Sequence, residues 1–218
     1  MSGMPWGGSE ELWWRAARLL QSQGHEILVN YKWWPEKARQ LVEIEQHGGS
    51  VWSRNQPLSF FEARKESFKR LLSKNGSSKS WLDQTRPDMV LVTLGYHPDQ
   101  IPIADECLEL GIPYAINVQC ASNFFFIHSD LLEKYRRWYR GAEKVFFVSP
   151  ENQHKLETNI ATALTNAEIV ANPFNVDYES EPQWPETDNR YRIACVGRIH
   201  FQSKGQDLKQ CTRRQGCH

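Results

Sequence analysis

The run Met89-Val90-Leu91-Val92-Thr93-Leu94 constrains the fold more than any other stretch of the chain. It has strand length and no polar alternate, as expected of a parallel strand covered on both faces. The sequence after it supplies helices at the right spacing. Asp99–Leu110 carries a helical pattern, Gly111-Ile112-Pro113 stops it, and Tyr114–Val118 is the next strand. Asp130–Tyr139 is helical, Lys144–Ser149 is a strand, Pro150 opens a helix to about Ala163, and Glu168–Val170 makes a short strand ending at Asn172-Pro173. Before the run, Ser9 is positioned as an N-cap with Glu10 and Glu11 in the first turn. Leu12, Ala16, Leu19 and Leu20 follow at helical spacing, and Gly24 offers the stop. His25–Tyr31 reads as a strand and Pro35 to about Gln46 as a helix. Residues 50–80 are mixed, helical around Phe60–Leu72 and a polar loop at Asn75–Ser80. This alternation predicts an α/β fold built on a doubly wound, mostly parallel sheet.

Composition removes several classes of function. Formal net charge is zero, so no basic excess points to a nucleic-acid partner. Hydrophobic residues make up 40% of the chain, enough for a sizeable core. No apolar run approaches the roughly 18 residues of a membrane span. The five cysteines are odd in number and lack disulfide-like spacing, which predicts a reducing cytoplasmic setting. Asn75-Gly76-Ser77 matches a glycosylation acceptor, a match common by chance and without meaning in that compartment. No G-x-G-x-x-G follows a strand and no G-x-x-x-x-G-K-[ST] occurs, which argues against nicotinamide, flavin and P-loop chemistry. Cys211, Cys217 and His218 lack a fourth zinc ligand.

Two sites have the chemistry to hold phosphate. Gly7-Gly8-Ser9-Glu10 sets two glycines before a helix N-terminus, where backbone N–H groups approach an anion closely. Near the C-terminus the apolar strand Tyr191–Val196 meets Gly197, and Arg198 and Lys204 follow six residues apart across a turn. Two fixed cations there can converge on a diphosphate and stabilise the charge that gathers on it as it leaves.

The ordered set of strand ends resembles the family 4 glycosyltransferases of type B fold. Arg86–Leu94 and Leu110–Val118 are similar to that family's fourth and fifth strands. Gly141–Asn152 resembles its "AD.V…VSE.N" step, and Asn172–Asp177 its "N.VD" crossover. Gly7–Glu10 resembles its "GG.E" loop, and Val196–Asp207 its "VGR…KG.D" entry to the donor half. The resemblance implies two facing Rossmann-like domains and transfer of a sugar from a nucleoside diphosphate sugar to a sugar or lipid acceptor, with retention of configuration. It implies no cofactor and no metal, and a cytoplasmic setting with contact to a membrane surface. Gly7, Gly8, Arg198 and Lys204 would hold the donor diphosphate, while His97, Gln119 and His128 would lie on the acceptor side. Many members carry a histidine where Gln119 or Cys120 stands here, and the family's donor-gripping pair of glutamates has no counterpart. Phe124-Phe125-Phe126 with Trp33-Trp34 would line either an acceptor groove or the core.

The implied organisation is an acceptor-side domain over 1–176, a linker over 177–190 rich in acids and proline, and the start of a donor domain over 191–208. The tail over 209–218 lacks apolar periodicity. No strand precedes Gly7-Gly8, so the expectation is a fold without its first strand, whose absence uncovers Ile27–Tyr31 and Met89–Leu94. Such a chain would be inactive alone and marginally stable. The other reading, from a different class, is a non-catalytic remnant or binding module of the same descent.

Overall fold

In the computed structural model the described residues are 6–54, 78–95, 101–122, 126–174 and 176–181. The chain divides into two compact units, Met1–Asn175 and Val176–His218. Within the first unit the order is α1 (Gly8–Ser22), β1 (Leu28–Lys32), α2 (Arg39–Gln46), β2 (Ser50–Arg54) and α3 (Ser78–Thr85). There follow β3 (Val90–Leu94), α4 (Ile103–Leu110), β4 (Tyr114–Val118), α5 (Ser129–Arg140), β5 (Lys144–Phe147), α6 (Pro150–Ile160) and β6 (Ala167–Ile169). All ladders are parallel, giving an α/β fold of the doubly wound, Rossmann-like kind.

Among the described residues the strands form two sheets rather than one continuous sheet. β1 pairs β2 with Leu28 opposite Ser50, and the second sheet runs in the order β3-β4-β5-β6. In the larger sheet Val90 faces Tyr114, Ala115 faces Lys144 and Val145 faces Ala167. Each sheet has its own core. Leu82, Leu94, Ile116, Tyr139, Phe147, Leu156 and Ile160 are fully buried around the larger sheet. Ala17, Val29, Leu41 and Ile44 form a smaller cluster where α1 and α2 cover β1. Each fully buried side chain of that size stabilises the fold by about 1.5–3 kcal/mol relative to exposure.

β4 is buried at all five positions because helices cover both of its faces. Tyr114 sits at its start, and its hydroxyl donates to the Trp138 carbonyl at 2.6 Å. Gly141 permits this approach, since a Cβ there would lie 2.9 Å from both that hydroxyl and the Arg137 carbonyl. Gly111 ends α4 in the left-handed region at φ 66°, where any other residue is strained.

Several local expectations need correction. Ser9 does not cap α1; the helix begins two residues earlier than that cap would set it, with Gly7 at the cap position, and the Ser9 hydroxyl donates to Glu10 instead. Pro35 does not open α2, which starts at Arg39 behind Ala38. β2 and α3 fall in the stretch that read as mixed, because Ser50-Val51-Trp52-Ser53-Arg54 is too polar and Ser78–Thr85 too short for a clear period. The helical reading at Phe60–Leu72 lies outside the described residues, as does Asn75-Gly76-Ser77. β3 is not covered on both faces, since Leu91 is 45% exposed and neighbouring Met89 is 54% exposed. Within the same strand Val92 and Leu94 are buried, so the exposure is confined to Leu91 and the preceding Met89. In the second unit, Asp177 organises a turn by accepting the Glu179 and Ser180 amides.

Candidate functional site

In open parallel sheets, ligands bind outside the carboxyl ends of the strands. At that end of the larger sheet, Gln119 is the residue that joins the strand-end loops. It follows β4 directly, and with its neighbour Asn117 it is one of the three buried polar residues among those described, Glu10 being the third. Its amide N–H donates to the Leu94 carbonyl at the end of β3, at 3.0 Å. Its own carbonyl accepts from Asn152 Nδ2 on α6 at 3.3 Å. Its side-chain Oε1 accepts from Asn172 Nδ2 in the loop after β6 at 2.9 Å, and its Nε2 donates to Asn117 Oδ1 at 3.4 Å.

The second anchor is Asn152. Its Oδ1 accepts the Ala121 amide at 3.2 Å, and its own amide donates to the Ser149 hydroxyl that caps α6. Two turns further on, Asn159 Nδ2 donates to the Ser122 carbonyl at 3.1 Å. These bonds hold the loops after β4, β5 and β6 as one uncharged rim of amides and hydroxyls. A rim of that kind suits a hydroxyl-rich ligand better than an anion.

The other proposed site residues are dispersed. His128 stands at the start of α5 with its ring exposed, Nδ1 lying 3.2 Å from Asp130 Oδ2, and it does not join the Gln119 network. Cys120 is exposed on the rim. Phe126 is 83% exposed, which excludes a core role for that ring, while Trp33 and Trp34 are half-buried. Gly7 is extended and Gly8 opens α1 with nothing within 4 Å of where a Cβ would sit. Glu10 and Glu11 occupy the same first turn, Glu11 accepting from Trp6 Nε1 at 2.8 Å. An anion bound to this helix end would therefore share it with two carboxylates. His97, Arg198 and Lys204 lie outside the described residues.

Sequence reasoning missed a second polar cluster at the carboxyl ends of β1 and β2. Arg54 Nη1 donates to Asn30 Oδ1 at 3.1 Å. Burial lowers the pKa of the guanidinium, against the opposing field of Glu106 on α4. The Glu106 carboxyl is raised, first by burial, with a bond from the Lys79 amide acting the other way. No spacing in the sequence relates Arg54 to Glu106, because the field acts from α4, which packs on the other sheet, onto β2.

A cavity of about 430 Å³ among the described residues lies elsewhere, at the amino ends of β1 and β2. Glu26, Leu28, Val51, Trp52, Trp81 and Thr85 line it. Its lining comes from β1, β2, α3 and Glu26 just before β1, and none of it belongs to the Gln119 rim, so volume and chemistry do not coincide. Among the described residues no His, Cys, Asp or Glu group could hold a metal. No helix among them is long and apolar enough to cross a membrane. Compared with known proteins, the chain matches no protein-family model and no curated relative.

Proposed function

We propose that the chain carries the acceptor-side half of a glycosyltransferase. That enzyme moves a sugar from a nucleoside diphosphate sugar to a sugar or lipid acceptor. The observation that carries this reading is the Gln119 knot. Two of the stretches resembling the transferase family end or begin at residues of that knot, Asn152 and Asn172, and a third, Leu110–Val118, ends next to Gln119. Those stretches therefore meet at one edge of one parallel sheet.

In this reading the amide and hydroxyl rim receives the acceptor, and Gln119 or Cys120 stands where many members of that family carry histidine. Arg198 and Lys204 stabilise the nucleoside diphosphate as it leaves, and no metal or organic cofactor is required. The protein works in the cytoplasm and meets a membrane surface when its acceptor is a lipid.

The test is turnover by the native-length gene product isolated from its source. UDP-, GDP- and ADP-sugars are each offered with saccharide and lipid-linked acceptors, and products are read by mass spectrometry. Transfer from at least one donor is expected. Acceptor binding without transfer from any donor identifies a non-catalytic binding module instead, and binding of neither partner overturns both readings.

A further inference from the structure

We propose that the cavity at the amino ends of β1 and β2 binds a small organic monocation, an ammonium group carried on an apolar or aromatic body. This inference does not depend on the transferase reading. At about 430 Å³ the cavity has the size of an ordinary small-molecule site. Leu28 and Val51 give it apolar wall, Trp52 and Trp81 give it two indoles, and Glu26, Ser50 and Thr85 are its polar groups.

Charge decides the class of ligand. Glu26 is the one acid in the lining, and the lining contains no lysine, arginine or histidine. Among the described residues no hydrogen bond or ion pair occupies Glu26, whereas Glu43, Asp83 and Glu109 on the helices are each paired with a base. Arg86, the residue after Thr85, is spent on Asp83 at 2.6 Å and on the Leu110 carbonyl at 3.3 Å. Thr85 donates its hydroxyl proton to the Trp81 carbonyl at 2.8 Å, so it meets a ligand as an acceptor. A carboxylate and a committed hydroxyl accept hydrogen bonds and give none. An ammonium group brings three donors and the positive charge that the lining lacks.

The indoles favour the same ligand. Trp81 of α3 stacks on Trp52 of β2 with ring centroids 6.1 Å apart and planes 20° apart, which holds both rings in place beside the cavity. An indole face carries negative potential and attracts a cation within about 6 Å of the ring centre. The chain uses that attraction elsewhere, since Lys32 Nζ stands 5.5 Å from the Trp34 ring and Lys134 Nζ 5.0 Å from the Trp138 ring. A neutral ligand would leave Glu26 unused and an anion would be repelled by it. The body of the ligand packs against Leu28 and the stacked rings.

The experiment titrates the isotope-labelled full chain with phenethylamine, with its neutral analogue phenylethanol and with its anionic analogue phenylpropionate, and reads amide and indole N–H signals by NMR. Phenethylamine is expected to move the signals of Leu28, Trp52, Trp81 and Thr85 and to bind with a Kd of about 1 mM or below. Phenylethanol should bind about tenfold more weakly and phenylpropionate more weakly still. Glu26→Gln, an exposed change that keeps the circular dichroism of the parent, should cut the preference for amine over alcohol about threefold. Raising the salt applies the same test to the parent chain, where the preference should shrink by a similar factor. No shift at about ten times the expected Kd overturns the proposal, as do equal affinity for amine and alcohol and shifts confined to residues outside the lining. A preference that survives intact both in Glu26→Gln and at high salt overturns it as well.

Discussion

Asn172 Nδ2 donates to Gln119 Oε1 at 2.9 Å, which fastens the loop after β6 to the end of β4 across the intervening β5. The two residues are 53 apart in sequence, so this bond alone closes a long stretch of chain over the rim. Gln119 is buried while Asn172 is reached from solvent. Breaking the bond from either side is therefore not equivalent.

Replacing Gln119 with Ala leaves Asn117 short of a donor and Asn172 short of an acceptor. The expected cost is about 1–3 kcal/mol. Asn172→Ala should cost less, because water replaces part of the lost bond. Chemical denaturation of both single variants and the double variant gives the coupling, expected at about 0.5–1 kcal/mol. A coupling of zero would mean that the rim is not held by this pair.

Acid should remove the contribution of Asp105. Burial pushes its carboxyl pKa up, but bonds from Lys134 and from Trp138 Nε1 outweigh burial and hold it below the usual range. The lengths are 2.8 and 2.5 Å. A depressed carboxylate pKa adds stability that is present above the unfolded value of about 3.9 and is lost as pH falls through the folded value. Asp105→Asn should be less stable than the parent by about 0.5–1.5 kcal/mol at neutral pH, allowing for the half-exposed Lys134. Urea titrations from pH 7 to pH 2.5 should show that difference shrinking only below about pH 4. A difference that stays constant to the acid end would rule the linkage out.

Two thiols should separate by reactivity. Cys120 is exposed, whereas Cys107 is buried and its thiol pKa is raised to about 11 by burial and by the nearby Glu106. Thiolate is the reacting form, so iodoacetamide at neutral pH should label Cys120 and spare Cys107 until the chain unfolds. Peptide mapping over time reads both sites at once. Equal labelling of the folded protein would contradict the burial of α4 against the sheet.

In the native-length gene product, Arg198→Ala and Lys204→Ala should each lower turnover by about 10²–10³-fold if they hold the departing diphosphate. Circular dichroism and the unfolding midpoint should stay with the parent. Full activity in both variants would reduce the two residues to solvated surface cations.

The sequence by itself determined the class of fold and most of its elements. Tyr114–Val118 is a strand at both ends as read, and the helices around α5 and α6 begin and end within a few residues of their pattern. Those segments were legible because helical period, proline at a first turn and glycine at a last turn are local properties. β2 and α3 escaped because their stability comes from Trp52 lying on Trp81 and from Leu82 in a distant core, none of which leaves a local period. Gln119 was marked by its place after a strand, yet only packing decided that its amide would be spent on Asn117 and Asn172 rather than left facing a ligand. The field of Glu106 at Arg54, and the division of the described strands into two sheets, were likewise decided in three dimensions. Pairing between strands depends on which edges arrive side by side, and a chain encodes that through all of its contacts together rather than through any one stretch.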